Sequence, residues 1–190
     1  ISILMKNHGI VVHEGVARLA SAQEVVIEPS GETLKAKHII LATGARPRPL
    51  PGIPFDGEKV IHYRRALELT DVPTSAVIVG AGPIGMEFAT IWSRYGAKVT
   101  VVEMMPHALP MEDEDISAEA ERVGIKIMTG ARVEDIIPQG EALDVTVATS
   151  DKKETLSAQK VLSAIGFAPW SEDLGLETAG VKTSRGYVEI

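Results

Sequence analysis

The middle of the chain alternates short apolar runs with a stretch of helical periodicity. Residues 76–79 form a continuous apolar run rich in β-branched side chains, which is typical of a buried parallel strand. Residues 86–95 place apolar side chains at helical spacing, and Gly96 is suited to end that helix. Residues 98–102 then predict a second strand. This succession predicts a β-α-β unit.

The second half of the chain predicts a third strand, a meander and a final buried strand. A helix over 116–123, ended by Gly124, precedes a strand over 125–128. Alternating apolar and polar positions predict an antiparallel meander over 131–138, 143–149 and 153–156. Residues 160–165 form another apolar run before Gly166. The whole order predicts an α/β fold with a Rossmann-like, doubly wound parallel sheet and a β-meander.

The first 45 residues predict a small sheet. Residues 1–7 have the pattern of the end of a helix. Strands are predicted at 10–14, 25–27 and 35–41. The last two flank Pro29-Ser30-Gly31 and predict a hairpin, and residues 38–41 are expected to form a buried strand. That strand would run directly into Thr43 and Gly44, where small residues either allow a ligand to approach the backbone or simply form a tight strand end.

Prolines mark a connection between two parts of the chain. The prolines of this stretch fall within eight positions, at Pro47, Pro49, Pro51 and Pro54. They predict an extended linker, and we place a domain boundary near 46–60. A short helix over 62–69 is expected to follow. Near the other end, residues 172–177 predict a helical turn, and residues 187–190 predict a strand with no visible partner.

Composition and charge exclude several classes of function. The net charge is −7 without a basic cluster, so nucleic acid is not an expected partner. No apolar run approaches the roughly 20 residues that span a membrane. The chain has no cysteine, which excludes thiol catalysis, disulfides and Cys-based metal sites within it. Its five histidines lack metal-ligand spacing, so we expect no metal site.

A glycine-rich segment follows the 76–79 strand directly. It reads Gly80-Ala81-Gly82-Pro83-Ile84-Gly85. Gly80 allows a tight turn, Gly82 allows backbone to approach a pyrophosphate, and Gly85 allows the helix to pack on the strand. The helix N-terminus would offer N–H groups and a positive dipole end to phosphates. The pattern predicts a dinucleotide site.

An acidic residue ends the second strand of this unit. Glu103 follows Gly80 by 23 positions, the spacing at which an acid accepts hydrogen bonds from an adenosine ribose. A carboxylate there favours a free 2′-hydroxyl and repels a 2′-phosphate. Residues 104–107 contain no arginine. The sequence therefore favours NAD over NADP.

Five motifs together resemble one enzyme family. They are IILATGARP at 39–47, GAGPIGMEFA at 80–89, VTVVE at 99–103, MTGARVE at 128–134 and AIGFAP at 164–169. This set resembles the two-dinucleotide flavoprotein disulfide reductases, and within them the lipoamide branch. The resemblance extends over essentially the whole chain. It implies that residues 1–46 end a first FAD-domain segment, that 47–167 form an NAD domain, and that 168–190 begin the return to the FAD domain.

The resemblance also implies roles for particular residues. It assigns to NAD the residues Gly80, Ala81, Gly82, Pro83, Ile84, Gly85, Glu87, Glu103, Val133, Ala164, Ile165, Gly166 and Phe167. Among these, Glu87 would lie near nicotinamide and flavin, Glu103 at the ribose and Val133 at the adenine. It assigns to FAD, in the intact enzyme, the residues Ala17, Thr43, Gly44 and Ala45.

The implied activity is oxidation of dihydrolipoamide through an enzyme disulfide and FAD, with NAD⁺ as acceptor. The family's cysteine pair and catalytic His–Glu pair would lie outside residues 1–190, so we expect no catalytic residue here, and an inactive fragment that binds NAD without holding FAD firmly. The predicted helix over 116–123 is about one turn shorter than in the family. The resemblance also implies that the parent protein is a homodimer and that its partners are lipoyl domains of 2-oxoacid dehydrogenase complexes. It implies a cytoplasmic or mitochondrial-matrix location. A mercuric or coenzyme A disulfide reductase, or a stand-alone NAD-binding module, are alternatives.

Overall fold

The computed structural model describes residues 2–112, 114–121 and 125–190. In chain order the elements are α1 (Ser2–Asn7), β1 (Val16–Ser21), β2 (Glu24–Glu28), β3 (Glu32–Lys35), β4 (Ala45–Pro47), β5 (Val60–His62), α2 (Tyr63–Leu67), β6 (Ser75–Val79), α3 (Pro83–Arg94), β7 (Lys98–Val102), α4 (Glu114–Glu121), β8 (Lys126–Met128), β9 (Arg132–Gln139), β10 (Ala142–Ala148), β11 (Lys153–Ala158), β12 (Lys160–Ser163), β13 (Phe167–Pro169), β14 (Thr183–Ser184) and β15 (Tyr187–Val188). None of the helices in the described ranges is long and apolar enough to cross a membrane.

The chain divides into two compact units. Pro47–Phe167 forms one of them, which we call the central unit. The residues up to Arg46 and those from Ala168 onward form the other, which we call the flanking unit.

A five-stranded parallel sheet is the centre of the central unit. Its strand order is β5-β12-β6-β7-β8, and each strand runs parallel to its neighbours. Val79 pairs with both Val102 and Ser163, so three strands end at the same level. The carboxyl ends of β6, β7 and β12 therefore meet at one edge of the sheet. This confirms the predicted α/β fold with a parallel sheet.

Both faces of this sheet are buried, which explains the unbroken apolar run in β6. Ala76 and Ile78 pack in a cluster with Phe88 and Trp92 of α3. Val77 and Val79 belong to a second cluster with Leu143, Val145 and Val147 of the meander. Alternate side chains of β6 thus face a helix layer and a β layer. A strand that is buried on both faces has no solvent-exposed side, so its sequence does not alternate between apolar and polar residues.

The meander is confirmed as three antiparallel strands in the order β11-β10-β9. Val145 of β10 pairs with Ile136 on one side and Leu156 on the other. Along β10, buried Leu143 and Val145 alternate with partly exposed Asp144 and Thr146. This alternation is the period-two pattern of a sheet that covers a core on one face.

Several predicted boundaries in the central unit are corrected. Helix α3 begins at Pro83, three residues before the predicted start, because Pro83 occupies the first helical position and the Met86 N–H already bonds the Gly82 carbonyl at 3.0 Å. Helix α2 is shorter than the predicted 62–69, and the short strand β5 just before it was not predicted. The predicted helix end at residues 122–124 lies outside the described residues.

The flanking unit contains a three-stranded sheet, β1-β2-β3, and the predicted hairpin joins β2 to β3. Two predicted strands are wrong. Residues 10–14 form no strand, and Val11 and Val12 are exposed. Residues 38–41 are neither a strand nor buried, since β3 ends at Lys35 and Ile40 is 90% exposed. An apolar run forms a strand only when another strand pairs with it, and in the described ranges none pairs with these segments.

The C-terminal residues of the flanking unit also differ from prediction. No helix forms over 172–177; a turn lies slightly later, where the Ala179 N–H bonds the Leu176 carbonyl at 3.1 Å. The strand predicted at 187–190 does have a partner. Tyr187 of β15 pairs with Ser184 of β14 in a two-stranded antiparallel ribbon. A ribbon of two residues per strand is too short for a pattern of apolar residues to reveal it.

Candidate functional site: the carboxyl edge of the parallel sheet

Three segments meet where β6, β7 and β12 end. The glycine-rich turn 80–85 follows β6, Glu103 follows β7, and residues 164–167 follow β12. We call this set the carboxyl-edge site. In open α/β sheets, ligands bind outside the carboxyl ends of the strands.

The three glycines of the turn have different surroundings. Gly80 has φ +103°, and a Cβ there would lie 2.6 Å from the carbonyl oxygen of Ala164. A Cβ at Gly85 would overlap the carbonyl oxygen of Gly80. At Gly82, by contrast, a Cβ would meet no atom within 4 Å. Gly80 and Gly85 are thus required by the fold, whereas Gly82 leaves open space beside the backbone.

Helix α3 begins in this turn. Gly82 is its N-cap residue and Pro83 opens its first turn. The N–H groups of a first turn have no acceptor within the helix, and they carry the positive end of the helix dipole. Ile84 and Gly85 supply such N–H groups next to the open space at Gly82. The arrangement suits an anionic group such as a phosphate.

Glu103 is a buried carboxylate that holds two loops. It is 8% exposed. One carboxylate oxygen accepts a hydrogen bond from the N–H of Ala81 at 2.7 Å, and the other accepts from the N–H of Met105 at 2.8 Å. A carboxylate has about four acceptor positions, so each oxygen can accept a further hydrogen bond. Glu103 can therefore fix the glycine-rich turn and bind a ligand hydroxyl at the same time.

The loop after β7 is tied to the glycine-rich turn at a second point. The N–H of Leu109 donates to the carbonyl of Ala81 at 2.8 Å, and Leu109 adopts φ +48°. In the same loop, Nδ1 of His107 lies 3.2 Å from the hydroxyl of Ser117, a buried residue of α4. These contacts fix the wall of the carboxyl-edge site on the side of β7.

Residues 164–167 form the opposite wall. The N–H of Ala164 bonds the carbonyl of Val79 at 2.8 Å, which continues the pairing of β12 with β6 by one residue. Gly166 then turns the chain with φ +92°. The Phe167 ring, 39% exposed, meets the Tyr63 ring edge to face at 5.7 Å. The structure thus brings the predicted segments 80–85 and 164–167 into contact through Gly80 and Ala164.

Two other predicted residues lie around this site. Glu87 is exposed on α3. Val133 is partly buried on β9, where it pairs with Val147. The start of β9 is close to Glu103, since the N–H of Ala131 bonds the Glu103 carbonyl at 2.9 Å.

The residues predicted to line FAD lie in the flanking unit. Ala17 is exposed on β1 and pairs with Ile27. The Thr43 hydroxyl donates to the carbonyl of Trp170 at 2.7 Å, and the Gly44 carbonyl accepts from the N–H of Trp170 at 3.1 Å. Ala45 is exposed at the start of β4. Thr43 and Gly44 are thus both joined to Trp170 by hydrogen bonds.

Sequence reasoning did not single out several residues that hold these segments. Arg48 contacts both Gly166 and Phe167, and Ser163 contacts Arg48. All three contacts join residues more than a hundred positions apart, so no local sequence pattern predicts them. In the described ranges, no group of three or more His, Asp or Glu side chains could hold a metal ion.

Comparison with known proteins identifies the family. The pyridine nucleotide-disulphide oxidoreductases match residues 1–190. The chain belongs to this family. Among curated members, it is 40% identical to the dihydrolipoyl dehydrogenase of Rhizobium etli over 99% of this chain and 44% of that protein. It is 34% identical to the dihydrolipoyl dehydrogenase of Zymomonas mobilis over 100% of this chain and 42% of that protein.

Solved structures of other flavoprotein disulfide reductases share the fold. The HOCl-induced flavoprotein disulfide reductase RclA from Escherichia coli superimposes with a TM-score of 0.80 at 28% identity, over 95% of this chain and 42% of its own. LpdA from Mycobacterium tuberculosis gives 0.81 at 28% identity, over 97% of this chain and 42% of its own. The chain therefore spans less than half the length of the family members it matches.

Proposed function

We propose that the central unit binds NAD(H) at the carboxyl-edge site. The observation that carries this proposal is the combination of open space at Gly82, the first turn of α3 and the carboxylate of Glu103 at one sheet edge. A pyrophosphate fits beside Gly82 and the N–H groups of Ile84 and Gly85. The adenosine ribose then lies within reach of Glu103.

The Glu103 carboxylate also favours NAD over NADP. It is buried and fixed by two backbone N–H groups, so it cannot swing away from a second anion. A 2′-phosphate beside it would meet like charge in a site of low dielectric, which is strongly unfavourable. A 2′-hydroxyl would instead donate a hydrogen bond to it.

NAD⁺, when bound, supplies a hydride acceptor at its nicotinamide ring. The residues of this chain bind and orient it. The turn 80–85 holds the pyrophosphate, Val133 lies on the adenine side, and residues 164–167 with Glu87 lie on the nicotinamide side. The role proposed for the central unit is therefore to bind and place the nucleotide.

The whole protein, we propose, is a dihydrolipoyl dehydrogenase. Support comes from the curated relatives at 34–40% identity that have this name. The activity would be oxidation of dihydrolipoamide with NAD⁺ as acceptor, with lipoyl domains as partners and a homodimer as the assembly. An assay on the whole protein tests this: dihydrolipoamide and NAD⁺ should yield NADH, and a turnover confined to other disulfides would contradict it.

The flanking unit is the proposed location of FAD in the whole protein. Its Thr43 and Gly44 do lie at a common backbone junction, with Trp170. Ala17 and Ala45, on β1 and β4, are the other residues proposed to line FAD. We derive no step through FAD from this chain.

A nucleotide titration tests the proposal directly. NADH added to the 190-residue chain should bind saturably, as measured by the fluorescence of the reduced nicotinamide. NADPH should bind at least about tenfold more weakly, which is the effect of about 1.4 kcal/mol of charge repulsion. Glu103→Gln should narrow that difference because it removes the charge. Equal binding of NADH and NADPH by the unaltered chain would contradict the role given to Glu103.

A further inference from the structure

Arg48, near the start of the central unit, makes hydrogen bonds with the last residue of β12 and with two residues that follow this strand. The backbone N–H of Arg48 donates to the carbonyl of Gly166 at 3.1 Å. Its guanidinium donates to the carbonyl of Phe167 at 3.0 Å. Its own carbonyl accepts a hydrogen bond from the hydroxyl of Ser163 at 3.0 Å. Arg48 therefore brackets the segment 164–167 on both sides.

Residues 164–166 belong to no strand or helix, and Phe167 begins the three-residue strand β13. After Ala164, the parallel pairing with β6 ends, and Gly166 adopts φ +92°, which glycine adopts more readily than other residues. Contacts from other segments therefore contribute to the conformation of 164–166. Phe167 is anchored from one side by the Tyr63 ring, and the hydrogen bonds of Arg48 fix its carbonyl from the other.

Arg48 and Ser163 differ in burial, and replacing either of them should affect the segment 164–167 more than the stability of the central unit. Arg48 is exposed, so its side chain contributes little to the core. Ser163 is 4% exposed, but Ser163→Ala removes one oxygen atom and with it the hydrogen bond to the Arg48 carbonyl. Loss of either contact should therefore loosen the segment 164–167 more than it unfolds the central unit.

We propose that Arg48, supported by Ser163, is a positioning residue that holds the segment 164–167 in the conformation that receives the nicotinamide half of NAD. The inference rests on the function proposed above, because it takes that function's location for the nicotinamide. Arg48 acts through the carbonyls of Gly166 and Phe167, which lie on the proposed nicotinamide side, whereas the proposed adenosine and pyrophosphate contacts are at Glu103 and 80–85. Its effect should consequently be confined to one half of the dinucleotide.

ADP-ribose provides the test, since it keeps the adenosine and pyrophosphate of NADH and lacks nicotinamide. Binding of both ligands to the 190-residue chain is measured by isothermal titration calorimetry. Arg48→Gln should weaken NADH about three- to tenfold, the usual effect of losing one hydrogen bond, and leave ADP-ribose unchanged. Ser163→Ala should act in the same direction. Arg48→Lys should restore part of the loss, because an ammonium can still donate to the Phe167 carbonyl.

The control is Arg94→Gln, which removes the same charge at the far end of α3 and should change neither affinity. If Arg48→Gln does not fold, Ser163→Ala carries the test. Equal weakening of NADH and ADP-ribose, or no weakening of NADH, would overturn the inference while leaving the NAD site in place. Failure of the unaltered chain to bind either ligand would overturn the proposed function and the inference with it.

Discussion

Replacement of Glu103 by alanine should destabilise the central unit even when no nucleotide is present. The carboxylate accepts hydrogen bonds from Ala81 at 2.7 Å and from Met105 at 2.8 Å, and it is only 8% exposed. Hydrogen bonds to a charged group contribute about 1.5–3 kcal/mol each. Removal of the carboxylate also removes the cost of burying its charge. The net loss in unfolding free energy should therefore be about 2–4 kcal/mol.

Urea unfolding followed by circular dichroism measures this loss. Glu103→Gln keeps one acceptor oxygen, so its unfolding free energy should lie between those of the alanine variant and the unaltered chain. Glu141→Ala, in the exposed turn between β9 and β10, is the matched control and should change the value by less than about 0.5 kcal/mol. If Glu103→Ala is as stable as Glu141→Ala, the carboxylate does not hold the two loops, and the reasoning from its hydrogen bonds is refuted.

Two further predictions concern the glycine-rich turn and the meander. Gly85→Ala should lower the unfolding free energy by about 1–3 kcal/mol, because a Cβ there overlaps a carbonyl oxygen. Gly82→Ala should leave the unfolding free energy unchanged and weaken NADH binding, because its Cβ would occupy the open space. A stable Gly85→Ala variant together with a destabilised Gly82→Ala variant would contradict these roles. Hydrogen bonds from Lys153 and Arg132 hold the pKa of the partly buried Glu134 carboxyl below its usual range. Glu134→Gln should thus be slightly less stable at neutral pH, and the difference in urea midpoint should vanish as pH falls through that lowered pKa; a constant difference would exclude this cause.

The elements of the central unit could be predicted because each has a uniform environment. The strand β6 is buried on both faces, so its sequence is apolar throughout. The meander strand β10 is buried on one face, so it alternates. The start of α3 was placed three residues late because the apolar periodicity begins at Met86, while the helix begins at Pro83, whose preference for the first turn is the more direct signal.

The flanking unit was harder to predict because its apolar runs lack partners in the described part of the chain. Residues 10–14 and 38–41 have the composition of strands, yet a strand is defined by hydrogen bonds to a neighbour that the segment itself does not encode. The ribbon of β14 and β15 shows the opposite case. It pairs only two residues per strand, so pairing there leaves no periodic pattern in the sequence.

The site shows the same limit at the level of side chains. The glycines of the turn and Glu103 are close together in the sequence, so the motif identifies them without knowledge of the fold. The hydrogen bond from Ala81 to Glu103 and the contacts of Arg48 with Phe167 depend on how distant segments meet. The binding of a ribose by Glu103 stays a prediction. The contacts of Val133 and of the segment 164–167 with NAD also stay predictions.

The most direct test of the carboxyl-edge site is an amide chemical-shift titration of the isotopically labelled 190-residue chain with NADH. We expect shifts in the turn 80–85, at Glu103 and Met105, at Val133 and in residues 164–167. We expect none at the turn between β9 and β10, which lies in the meander. Saturable shifts confined to these proposed contact residues would support the NAD site. Shifts centred on other surfaces, or none at saturating NADH, would contradict it.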